Sequence, residues 1–150
     1  MRLIFVFFLL LSSFRYAHAT KMPCDPAAII GGWYLDHIIY QGEPRPPFNP
    51  DLEITFDYWA DGVSHLFWFR NNEVGFCERK AIYTYEDCFI KETITWLNPN
   101  NSPDCNYDPD MQLGRTTKTY AEIDDEGFLR LHLPFGSEEL IYVLLQVDTE

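Results

Sequence analysis

Between Cys77 and Trp96 the chain gathers the side chains best suited to hold a small molecule. Two alternating runs, Cys77, Arg79, Ala81, Tyr83, Tyr85 and Cys88, Ile90, Glu92, Ile94, Trp96, flank Glu86-Asp87. Alternate residues of a β-strand share a face. With Glu86-Asp87 as a two-residue turn, Tyr85 stands opposite Cys88, Tyr83 opposite Ile90, Ala81 opposite Glu92, Arg79 opposite Ile94 and Cys77 opposite Trp96, all on one face. That face is apolar and aromatic, with one guanidinium and one carboxylate. Turned inward, it has the usual composition of a small-molecule pocket. Arg79 would hold a carboxylate or phosphate head group, while Tyr83, Tyr85, Ile90, Ile94 and Trp96 pack on the rest. A plainer reading of the same residues has Arg79 and Glu92 neutralise each other, or the face meet solvent. The opposite face (Phe76, Glu78, Lys80, Ile82) is the more charged, which favours an inward turn. Phe56 and Tyr58, on another alternating run, are further lining candidates, together with Phe67, Phe69, Tyr120 and Tyr142.

Other constellations carry less chemistry. Asp104, Asn106, Asp108 and Asp110 place oxygen atoms at alternate positions, as calcium loops do. Pro109 stands where such a loop needs Gly, however, and Arg115 where it needs its closing Glu. His37, His65 and His132 have no ligand spacing. No G-x-S-x-G elbow, H-E-x-x-H or phosphate loop occurs. The expectation is therefore a binding protein rather than an enzyme, with no catalytic residues, no metal and no cofactor.

Positioning these residues falls to a framework of short strands. The 150-residue chain begins with Arg2, an unbroken apolar run over residues 3–11 and a small-x-small site at Ala17-His18-Ala19. This reads as a cleavable signal peptide over residues 1–19, with one domain over 20–150. The apolar run is well short of the roughly 20 residues that span a bilayer, so no membrane insertion is expected. The remaining chain carries 9 basic and 23 acidic side chains, a net charge of −14. Nucleic acid is excluded as a partner, because it requires a basic footprint. The even count of four cysteines, Cys24, Cys77, Cys88 and Cys105, implies two disulfides in a secreted or periplasmic protein.

Alternation and turn residues predict strands over residues 30–40, 52–58, 63–70, 73–85, 88–97, 115–123, 128–133 and 138–147. A Pro-rich loop over 42–50 and a polar loop over 98–113 interrupt them. Eight strands joined mostly by hairpins make an all-β meander, and closure into a barrel is the usual way to remove its edges.

Gly31-Gly32-Trp33-Tyr34 opens the first strand. A glycine, a free position and a tryptophan at that place resemble the G-x-W signature of the lipocalins, within the wider calycin group. The resemblance implies a single antiparallel up-and-down eight-stranded barrel, with Trp33 across its closed end and Gly31 allowing close backbone passage. It also implies a small hydrophobic or amphipathic ligand in the barrel. Three features depart from the pattern. The second family signature, a Thr-Asp-Tyr near the turn between the sixth and seventh strands, is absent, with only Thr119-Tyr120 near it. Residues 134–150 contain no Lys or Arg to cover the tryptophan, and no C-terminal helix is expected after the last strand.

With the first strand starting at the closed end, Cys24 and Cys88 fall at that end and Cys77 and Cys105 nearer the mouth. This topology predicts Cys24–Cys88 and Cys77–Cys105. An alternative function keeps the fold: a barrel filled with its own side chains, acting through loops 42–50 and 98–113 on a protein partner, for instance as an inhibitor of a secreted enzyme. The sequence leaves the oligomeric state open.

Overall fold

A computed structural model describes residues 24–147; the expected signal segment lies outside the described residues. Among them nine strands form: β1 (Gly31–Tyr40), β2 (Glu43–Arg45), β3 (Leu52–Tyr58), β4 (Val63–Arg70), β5 (Phe76–Glu86), β6 (Phe89–Leu97), β7 (Thr116–Ile123), β8 (Leu129–Phe135) and β9 (Glu138–Val147). Neighbours pair in the order β2-β1-β3-β4-β5-β6-β7-β8-β9, and β9 pairs back onto β1. Eight long strands thus close an antiparallel barrel, with β2 as a short strip outside the closure. The Pro-rich stretch is less irregular than expected: Glu43–Arg45 pairs with Ile38–Tyr40, and Pro44 is tolerated because β2 is an edge.

Inside and outside follow from alternation. Along β3, Leu52, Ile54, Phe56 and Tyr58 face the interior, while Glu53 and Asp57 face water. Directly opposed residues share a face, so the pairs Ile54–Trp68, Phe56–Leu66 and Tyr58–Ser64 bring Ser64, Leu66 and Trp68 of β4 inside. Phe67 and Phe69 consequently lie on the outer wall, where Phe67 packs on Phe69 and Phe76. Tyr120 is also outside, edge-on to His132 at 4.8 Å. These three are corrections to the expected lining set.

The β5–β6 turn is one residue later than the sequence implies. Asp87 and Cys88 form it, both with positive φ (52° and 64°), and Glu86 pairs with Phe89. The observed pairs are therefore Tyr85–Ile90, Tyr83–Glu92 and Ala81–Ile94. A two-residue change of register leaves each side chain on its expected face. The register then slips once more, between Lys80 and Ala81: Lys80 pairs with Trp96, leaving Thr95 as the extra residue of a bulge. Trp96 is thereby turned outward.

A contiguous apolar cluster fills the closed end, including Ile29, Trp33, Leu35, Tyr58, Tyr85, Ala121, Ile123, Leu129 and Leu144. Trp33 is 1% exposed, and its Nε1–H donates to the Ile29 carbonyl at 2.8 Å. That bond ties the segment before β1 across the barrel floor. Gly31 has φ +137°, a backbone conformation in which any L side chain is strained, so this position favours glycine. The Cys24–Cys88 disulfide (Cα–Cα 4.9 Å) fastens the same segment to the β5–β6 turn.

At the other end Cys77–Cys105 (Cα–Cα 5.7 Å) anchors the loop after β6. Asn101 lies beside β5 and reproduces a strand partner: its Oδ1 accepts from Glu78 N and its Nδ2 donates to Glu78 O. The loop itself forms two short 3-10 turns, Pro103–Tyr107 and Pro109–Met111. The Asp108 carboxylate is occupied in accepting from the backbone N–H of Asp110.

Trp33→Ala should lower unfolding stability by about 3–5 kcal/mol, since it removes a large core side chain and leaves a cavity. Urea unfolding followed by circular dichroism measures this. A loss below about 1 kcal/mol would show that the floor is not organised around Trp33.

Candidate ligand cavity

Hairpin connections alternate between the two ends of the barrel. The β3–β4, β5–β6 and β7–β8 turns lie at the floor, and the remaining connections ring an open mouth. Above the floor cluster the interior is hollow, with a cavity of about 880 Å³ reaching the mouth. This lies within the range of about 300–1,000 Å³ typical of small-molecule sites. Its walls are mostly apolar: Leu52, Ile54, Phe56 and Tyr58 of β3, Leu66 and Trp68 of β4, Ile90 of β6, and Leu131, Leu133, Leu140 and Tyr142 of β8 and β9.

Into this wall β5 and β6 set a charged pair. Arg79 is 4% exposed and Glu92 8% exposed. Arg79 Nη2 donates to Glu92 Oε2 at 3.1 Å, and Ser64 Oγ donates to Glu92 Oε1 at 2.6 Å. Both carboxylate oxygens are thus engaged, whereas Arg79 Nε and Nη1 are buried with no hydrogen-bond partner. Burial, and then the Glu92 charge, push the Tyr58 hydroxyl well above its usual pKa, so Tyr58 stays a neutral lining group.

The mouth is built differently on its two sides. Tyr40, Phe48 and Phe135 form an aromatic cluster with ring centroids 5.3–5.8 Å apart. Glu138 clasps the same corner by accepting from the Tyr40 hydroxyl and the Gln41 amide. Arg70, Asp108, Asp110 and Arg115, with Thr117 and Thr119, supply the polar part of the lining, while Lys118 stands on the outer wall with its Nζ 4.1 Å from the Phe89 ring. Burial, and then Asp108, raise the Asp110 carboxyl pKa, against the opposing pull of Arg79 and Arg115.

Of the ligand contacts expected from sequence, Phe56, Tyr58, Arg79, Ile90 and Glu92 lie together on the cavity wall. Four others lie off it. Tyr83 packs on Tyr58, and its hydroxyl donates to the Trp59 carbonyl. Tyr85 belongs to the floor, where its hydroxyl donates to the Ala121 carbonyl at 2.9 Å. Ile94 is buried where its backbone exchanges hydrogen bonds with Gly114 and Arg115. Trp96, 38% exposed, stands on the outer wall, with Lys80 Nζ 5.6 Å from its ring and 5.5 Å from that of Trp59. Distance from the mouth removes the tyrosines from the cavity, and the Thr95 bulge removes Trp96.

Leu66 and Trp68 were legible in principle. Once Tyr58 faces inward, the β3–β4 hairpin register carries Ser64, Leu66 and Trp68 with it. Arg115 carried no such signal, because loop 98–113 decides where it points.

The fold has counterparts among solved structures. A lipocalin-like protein from Bacteroides uniformis aligns with a TM-score of 0.53 and 14% identity, over 80% of this chain and 99% of that one. An uncharacterized protein from Bacteroides eggerthii aligns with a TM-score of 0.48 and 16% identity, over 79% and 98%. No family profile and no curated protein matches the chain. Closed antiparallel topology and the first of these likenesses define a lipocalin-like β-barrel.

Burial, followed by the nearby Tyr120 and Glu122, pushes the Tyr85 hydroxyl up to about 12. An unfolded tyrosine ionises near pH ~10, so the unfolded chain loses this proton first. The Tyr85 contribution is therefore intact below that pH and lost as the pH rises towards about 12. Urea midpoints measured across this alkaline range should fall less steeply for Tyr85→Phe than for the parent. Equal slopes would show a hydroxyl in contact with water.

Proposed function

We propose that the protein is an exported carrier that holds a small hydrophobic or amphipathic molecule inside the barrel. The observation that carries this reading is the apolar-walled hollow of about 880 Å³, open at one end and set with a few buried polar groups. Burial of the ligand's apolar body supplies the affinity, at roughly 25 cal/mol per Å² removed from water. Fixed polar groups orient it. A barrel filled by its own side chains would have no such space, so the hollow supports the container over a protein-binding module working through its loops.

Export rests on the leader-like residues 1–19 and on two disulfides, which persist in an oxidising compartment. Among the described residues no helix is long and apolar enough to cross a membrane.

Native mass spectrometry of the gently purified protein, before and after denaturation, should reveal a co-purified small mass that denaturation releases. Ligand binding should also change tryptophan emission through Trp68 on the cavity wall. Trp68→Phe should lose most of that change and Trp96→Phe keep it. A protein that remains free of added mass after exposure to a lipid and metabolite extract would overturn the carrier reading.

A further inference from the structure

The cavity wall does not share the acidity of the molecule. The chain as a whole carries a net charge of −12. The hollow is lined by three cations, Arg70, Arg79 and Arg115, and three carboxylates, Glu92, Asp108 and Asp110, so its formal charges cancel. At the buried pair both oxygens of Glu92 are engaged, and the remaining N–H groups of Arg79 are sealed from the hollow. What the wall leaves open is hydroxyl. Thr117 and Thr119 of β7 stand opposite the inward-facing Glu92 and Ile90, and Tyr142 of β9 stands between the inward-facing Ile38 and Leu131. All three line the cavity and are half-buried, so the surface they keep belongs to the hollow. Among the described residues none of their hydroxyls has a hydrogen-bond partner, and none is sealed off as the Arg79 donors are. Burial, and then Asp108 and Asp110, raise the Tyr142 pKa, which keeps this hydroxyl a neutral donor.

Resting on the carrier reading, we infer that the ligand is an uncharged lipophile whose hydroxyl or carbonyl oxygen accepts a hydrogen bond from the Tyr142 hydroxyl. Its apolar body lies against the facing wall of β3 and β4, where Ile54, Phe56, Leu66 and Trp68 offer no hydrogen-bonding group beyond the Trp68 indole N–H. A hydrocarbon without oxygen would displace water from Tyr142 and leave the donor unpaired. An ion would give up its hydration in a space whose charges already cancel.

Decan-1-ol, decan-2-one, 1-chlorodecane, decanoate and decyltrimethylammonium share one kind of tail and differ in the head. Each is titrated into the delipidated protein with Trp68 emission as the readout. The alcohol and the ketone should bind roughly ten-fold more tightly than either ion. Tyr142→Phe removes one hydroxyl and nothing else. It should weaken the alcohol and the ketone about five-fold, the order of one neutral hydrogen bond, and leave 1-chlorodecane unchanged. On the unaltered protein the infrared carbonyl stretch of bound decan-2-one should lie below its value in alkane, and in Tyr142→Phe it should return towards that value.

Either ion binding as tightly as decan-1-ol would overturn the inference and leave the carrier intact. So would an unshifted carbonyl stretch, a reading that needs no variant and stands even if Tyr142→Phe does not fold. A variant that binds the alcohol and the ketone as well as the parent does, or that loses 1-chlorodecane equally, would likewise overturn it. Failure of all five compounds to bind the unaltered protein would overturn the carrier reading, and this inference with it.

Discussion

Closure of the sheet between β1 and β9 is the constraint on which everything else in this molecule depends. Without that ladder the meander would expose two edges, and its inner face would have nothing to enclose. The pairing runs from Gly32–Val147 to Tyr40–Leu140, with a register shift between Leu35 and His37. That irregularity has a purpose in the packing. Trp33 and Leu35 lie inside below it and Ile38 inside above it, so the extra residue, Asp36, lets β1 keep its apolar side chains inward while the strand bends. Trp33 and the Gly31 backbone then complete the floor. Space left above the floor becomes the cavity.

How far the sequence discloses this structure differs by level. Strand positions were legible because alternation is strong where one face is buried. Residues 52–58, with apolar and polar residues in strict turn, are the clearest case. Disulfide pairing followed from topology alone, since Cys24 and Cys88 had to meet at one end and Cys77 and Cys105 near the other. What alternation does not register is a bulge. Thr95 adds a single residue, and Trp96 passes from the lining to the outer wall. Alternation is also silent on height along the barrel. Tyr83 and Tyr85 share a face with Arg79, yet they belong to the floor region while Arg79 belongs to the cavity. The loop after β6 was legible only as polar sequence, whereas its disulfide and Asn101 fix it against β5 and bring Asp110 and Arg115 to the hollow.

The outer wall offers a useful contrast with the interior. His65 sits between Asp57 and Glu78, with each ring nitrogen 2.9 Å from a carboxylate oxygen, and stacks on Trp59. His132 is similarly placed near Glu122 and Glu139. In these half-buried surface networks both ring nitrogens of His65 and Nδ1 of His132 find a carboxylate, and partly exposed pairs of this kind contribute little to stability. Arg79 differs in kind. It is almost wholly buried and only partly satisfied.

A buried ion pair is poor economy if stability is the only end. Removing two charges from water costs several kcal/mol per ion, and well-packed apolar residues of similar volume are often as good or better. A barrel selected for stability alone could fill the positions of Arg79, Glu92 and Ser64 with the aliphatic side chains that occupy the rest of its wall. The three polar groups instead form a chain, Ser64 to Glu92 to Arg79, which ends in buried N–H donors without a partner. In such a chain each member is held by the one before it, so the guanidinium is fixed in place. Its desolvation is likewise incurred on folding rather than on binding.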